Sequence, residues 1–202
     1  MSCLSQLLGL LTPSRQPGHY PISAILWAFD WKLPSSVQTV YTKLNTLDTI
    51  VTLEAFLFWS DGGRAVLDIG AQCPHRSQFE ICTTTHVIKV DDLVGGQGRS
   101  GNFSAYFVPF TGSGQYTLGD VMGKDDVVMV EPSDHVWLKV QEIAQCVAQV
   151  KSGNTPDPEW SKRSLATHSV MCAIFESSQK GGAAVHLSND LVHVKQAITG
   201  HV

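Results

Sequence analysis

The chain has 202 residues, of which 43 % are hydrophobic and 16 % charged, with a formal net charge of −4. That mix excludes a disordered chain, and a domain of this size buries roughly 70 % of its unfolded surface, so it needs no metal or disulfide staple. The fourteen Lys and Arg form no basic run or basic helix face, which argues against a nucleic-acid partner.

Five cysteines, Cys3, Cys73, Cys82, Cys146 and Cys172, are scattered without C-x-x-C spacing. Free thiols of this kind suit a reducing compartment and a cytoplasmic protein. The apolar run Leu7–Leu11 is too short to span a bilayer, and Arg15 follows it rather than preceding it as in a signal peptide. Residues 1–15 therefore read as an irregular N-terminal segment, with no membrane partner.

The first clear element is a helix over His19–Asp30, where Ile22, Ile25, Leu26 and Phe29 make one apolar stripe and Pro34 stops the chain soon after. Strands follow at Val37–Leu44 and Thr49–Trp59. A turn at Asp61-Gly62-Gly63 leads back into Ala65–Ala71. The 49–59 strand is apolar on both faces, with Val51, Leu53, Leu57 and Trp59 on one and Ile50, Phe56 and Phe58 on the other. Such a strand asks for cover on both sides. Further strands read at Phe79–Thr84, His86–Val90, Asn102–Phe110 and Asp125–Glu131. Two helices then run over Ser133–Lys151, ended by Gly153, and from the cap at Asp157-Pro158-Glu159 to Gln179, ended by Gly181-Gly182. Ala183–Leu187 is a last short strand, and residues 189–202 form a tail. Runs of strands followed by runs of helices predict an α+β fold: an open, largely antiparallel β-sheet with helices packed on one face and the other face available for dimerisation.

Several patterns suggest chemistry and fail on context. Gly96-x-Gly98-x-x-Gly101 matches the dinucleotide fingerprint in letters, but an aromatic-rich strand follows it where a helix must begin. Eight histidines include no zinc-type spacing, so no metal site is expected. Gly112-Ser113-Gly114 and Lys151-Ser152-Gly153 are not nucleophile elbows. Trp27, Trp31, Trp59, Trp137 and Trp160 suit a sugar-stacking pocket, though core packing is the commoner role. Gln16-Pro17-Gly18-His19-Tyr20 runs into the first helix, where His and Tyr can move protons if a pocket opens, or simply cap and pack.

Four stretches together resemble the C-terminal domain of the Gfo/Idh/MocA oxidoreductases, and most closely their dihydrodiol and D-xylose dehydrogenase-like branch, plant proteins included. They are Gly18-His19-Tyr20-Pro21-Ile22 with its helix, Leu57–Ala65 as the central hairpin, the Ser133–Lys151 helix, and Pro156–Leu187 with Trp160 and Ser177-Ser178. The likeness covers residues 16–188. It implies a domain that shapes the pocket for a small sugar-like or diol substrate and pairs subunits through its free sheet face, as a homodimer or with a full-length relative. It places Tyr20 at the family's catalytic His/Tyr position, with Gln16 and His19 toward substrate. Gln16 stands where the family has Asp, and an amide cannot relay a proton as a carboxylate does. The NAD or NADP of the family is held by a Rossmann domain with a Glu-Lys-Pro lysine, and neither is found in these 202 residues. The expectation is a domain without oxidoreductase activity on its own. The alternatives are a non-enzymatic interaction module pairing through the sheet face, and a free-standing binding domain with a pocket between sheet and helices.

Overall fold

The structure, a computed structural model, describes residues 18–46, 50–70, 78–84, 86–90, 102–107, 126–129, 135–155 and 157–188. The N-terminal segment 1–15, Gln16, the glycine loop 96–101, Gly112–Gly114 and the tail 189–202 lie outside the described residues. The α+β class holds, with two antiparallel sheets and three helices among the described residues. The chain divides into two compact units, residues 1–73 with 158–202 and residues 74–157.

The first unit contains α1 (His19–Ala28), β1 (Ser36–Leu44), β2 (Ile50–Phe58) and β3 (Arg64–Gly70). The chain returns to this unit in a long helix over Pro158–Gln179 and a short strand β8 (Val185–His186). Its sheet has the order β3-β2-β1-β8, and both helices pack on it. Alternation decides the faces. Val37, Val51, Leu53, Ala55, Leu57, Leu67 and Ile69 are buried, whereas Glu54, Phe58, Val66 and Asp68 are exposed. The expected two-sided apolar strand is thus real, but its second side divides. Phe58 is exposed and Phe56 partly so, while Ile50 is buried beside Val51 because a register shift between Lys43 and Leu44 sets two β2 residues against one step of β1.

One knot of polar contacts joins the long helix to the sheet. The Thr39 N–H donates to Ser177 Oγ at 2.8 Å, Ser177 Oγ donates to the Ala183 carbonyl at 2.7 Å, and Thr39 Oγ1 donates to the Ile174 carbonyl at 2.9 Å. β8 pairs with β1 only at Ser36 and Val37, so beyond Val37 the Ser177 hydroxyl takes the place of a strand. Gly182 lies so close that a Cβ there would sit 2.6 Å from the Thr39 carbonyl oxygen, at a φ of +87°.

The second unit contains β4 (Phe79–Cys82), β5 (His86–Val90), β6 (Asn102–Phe107) and β7 (Asp126–Met129), paired in that order, and α2 (His135–Lys151). α2 leaves Trp137, Val140, Ile143, Val147 and Val150 exposed. The helix over Pro158–Gln179 is α3.

All three helices end in the same device. The sixth-to-first bonds are Trp31 N–H to the Leu26 carbonyl (2.7 Å), Asn154 N–H to Gln149 (3.0 Å) and Gly182 N–H to Ser177 (2.9 Å), each with its inner partner. This is the Schellman motif, whose C′ residue must be left-handed. Gly153 and Gly181 fill that position in α2 and α3, but in α1 it is Asp30, at a φ of 54°. A left-handed L-residue costs roughly 1–2 kcal/mol.

Two outcomes follow. Replacing Asp30→Gly stabilises the chain by about 1 kcal/mol, read as a higher urea midpoint at unchanged m. Replacing Ser177→Ala destabilises it by about 2 kcal/mol, because the buried Thr39 N–H loses its acceptor; a change under about 0.5 kcal/mol would show that the knot does not hold the sheet.

Candidate active site

The head of α1 follows directly on Gly18, which is buried with Ile69 Cδ1 3.7 Å from where its Cβ would stand. The next two side chains diverge. Tyr20 is 42 % exposed, while His19 is half-buried, with its Nδ1 enclosed and without a hydrogen-bond partner among the described residues. The His19 ring meets the Tyr20 ring edge-on at 5.8 Å between centroids and the His168 ring of α3 at 6.1 Å. The structure therefore brings together His19, Tyr20 and His168. His168 was not among the residues singled out from sequence. Its signal is faint: one histidine inside the apolar stretch Leu165–Phe175, far along the chain from its partner.

Burial lowers the pKa of His19 below its ordinary 6.5, and the neighbouring His168 lowers it further. A neutral imidazole at physiological pH accepts a proton rather than donating one. The cluster thus sets a half-buried, neutral imidazole beside an exposed phenol.

The space nearest this head is not a substrate pocket. Gly18, Ile22, Ile50, Val51, Met171 and Phe175 are among the residues enclosing a volume of about 20 Å³. A gap of that size holds at most one water, and an apolar lining leaves it dry. A free-standing binding domain with its pocket between sheet and helices finds no support there.

The tryptophans do not behave as a core set. Trp59 is buried, its ring stacked on Phe29 at 3.6 Å and 5°, and its Nε1–H donates to the Lys32 carbonyl at 3.0 Å. Trp27, Trp137 and Trp160 are exposed at 62, 63 and 47 %. The expectation of core packing fails for these three, which stand exposed on their helices. Cys82, Cys146 and Cys172 form no disulfide. No group of three metal-ligating side chains occurs among the described residues, and no helix among them is long and apolar enough to cross a membrane.

The position of His19 has a pH consequence. An unfolded histidine binds its proton near pH 6.5, and the native His19 binds it only at lower pH. Within that window the unfolded chain holds more protons, so stability rises with pH and is lost as pH falls below about 6.5. The urea midpoint should fall between about pH 7.5 and about pH 5.5. His19→Gln should flatten part of that slope, and an identical slope in parent and variant would remove His19 from the account.

No family model and no curated protein matches the chain. Solved structures do. An aldose-aldose oxidoreductase from Caulobacter crescentus, solved with glycerol, superposes with a TM-score of 0.61 at 14 % identity, over 84 % of this chain and 46 % of its own. A protein from Desulfitobacterium hafniense, named for an NADPH-dependent oxidoreductase activity, gives 0.61 at 17 % identity over 90 % and 48 %. An inositol dehydrogenase homolog from Azotobacter vinelandii, solved with NADH and myo-inositol, gives 0.50 at 11 % identity over 86 % and 49 %. These neighbours are oxidoreductases of the Gfo/Idh/MocA type, and the likeness is one of fold. The chain spans about half the length of each.

Proposed function

We propose that these residues form the substrate-side and subunit-pairing domain of a Gfo/Idh/MocA-type oxidoreductase acting on a sugar-like or diol substrate. The observation that carries the reading is the pattern of coverage. Between 84 and 90 % of this chain matches, and it matches about half of each larger oxidoreductase. In this reading Tyr20 and His19 lie beside the hydroxyl to be oxidised, and His19 stands neutral there, chiefly through its burial and then through His168. Gln16, outside the described residues, is assigned to substrate binding on the resemblance alone.

The nicotinamide cofactor that supplies hydride chemistry in such enzymes is bound in this reading by residues other than those described. A dinucleotide cradle needs a strand that turns through glycines into a helix within a parallel βαβ unit. Every strand pairing among the described residues is antiparallel. The described residues do not fit the group, and no step is routed through it. The expected outcome is that NADPH fluorescence shows no saturable change with this chain. Micromolar binding would overturn this part of the reading.

A second reading, a module that pairs with itself or with a longer relative, is favoured by one surface. Val40, Tyr41, Phe58 and Val66 are exposed on the first sheet, with Phe56 and Phe58 in ring contact at 6.2 Å. Light scattering coupled to size exclusion should give the mass of a dimer at micromolar concentration, and Val66→Glu should return a monomer. A monomer from the unsubstituted chain would sink the pairing.

A further inference from the structure

The loop that leaves α1 holds a strained residue against a cation of α3. Asp30 is accounted for as the left-handed residue of the helix end, but Trp31, at a φ of 58°, is left-handed as well, a conformation that bulky side chains rarely adopt. Such a backbone persists only where its surroundings hold it, and outliers of this kind gather at ligand sites. The hold is visible. Phe29 stacks on the buried Trp59, whose Nε1–H binds the Lys32 carbonyl, and the Ser35 N–H donates to the Phe58 carbonyl at 2.7 Å. Trp31 is therefore fixed from both sides.

What it is fixed against is Arg163 of α3. The guanidinium carbon lies 5.3 Å from the Trp31 ring and 5.8 Å from the Trp160 ring. These contacts hold the cation over two aromatic rings, which supply no oxygen acceptor to its N–H donors. The Nε–H is buried without one among the described residues. The nearest acid along the helix, Glu159, is committed to Lys162 at 2.7 Å. A buried donor with no acceptor asks for an explanation, and a planar fork beside aromatic rings is the arrangement that takes an oxyanion edge-on.

We propose that Arg163, flanked by Trp31 and Trp160, is a binding site for a small molecule bearing a carboxylate or phosphate group, with the two indoles packing against its carbon skeleton. Because the Nε–H is enclosed, entry requires a neighbouring side chain to move, and the exposed Trp160 indole is the one free to do so, so binding changes the environment of both. The site is distinct from the ring cluster at the head of α1 and does not rest on the oxidoreductase reading.

The full chain is titrated with glucuronate and, separately, with glucose 6-phosphate, following the Arg163 Nε–H resonance by NMR. Sodium chloride at equal ionic strength is the control. At least one anion should shift that resonance saturably at millimolar concentration or below while chloride leaves it in place. The tighter of the two identifies carboxylate or phosphate as the group recognised. Arg163→Lys, which keeps the charge and loses the fork, should weaken binding at least tenfold when read by calorimetry. Trp160→Leu alters an exposed side chain without disturbing the core and should weaken it several-fold. Absence of a saturable shift with both anions overturns the site, as does parental affinity in both variants.

Discussion

The first unit depends on a single exchange of partners at Thr39. A strand in a sheet offers hydrogen-bonding groups on both edges, and β1 meets β2 along one of them for its whole length. On the other edge β8 serves only two positions. The Ser177 hydroxyl takes up the next donor, hands its own proton to the Ala183 carbonyl, and so ties the helix end, the strand and the turn between them. Gly182 is compelled by the same geometry, since any side chain would occupy the space of the Thr39 oxygen. A buried serine and a glycine thus do the work of an additional strand.

Much of this was legible in the sequence. Gly153 and Gly181-Gly182 stop their helices where the glycines predict, since glycine is the residue that enters the left-handed region freely. The end of α1 was not legible in the same way. The prediction ran to Asp30, whereas the helix closes at Ala28, because an aspartate occupies the position that a glycine would have announced. Apart from Asn102–Phe110, whose last three residues lie outside the described residues, the strands read to within about two residues of their observed ends. The fate of Ile50 did not read, because alternation cannot show a register shift that turns two neighbours to one side.

The sites were legible in proportion to how local they are. His19 and Tyr20 stand together in the chain and were visible as a pair. His168 and Arg163 acquire meaning only from what α3 packs against, and no spacing rule connects them to residues near the N-terminus. Trp31 is the clearest case. Its part in the molecule comes from its backbone angle, which its identity argues against. The conflict between local preference and tertiary context is resolved there in favour of context, as happens where surrounding packing over-determines a residue.

The division of the first unit across the chain bears on how it is made. β1, β2 and β3 emerge from synthesis early, but the serine, the glycine and the edge strand that complete them lie beyond residue 158. Until those residues arrive, the inner face formed by Val37, Leu53, Leu57 and Ile69 has no α3 to cover it, and the free edge of β1 is a template for another chain. Closing contacts between such distant segments is slow. A nascent chain is therefore most open to chaperones, and to mispairing, while the whole of the second unit is being translated.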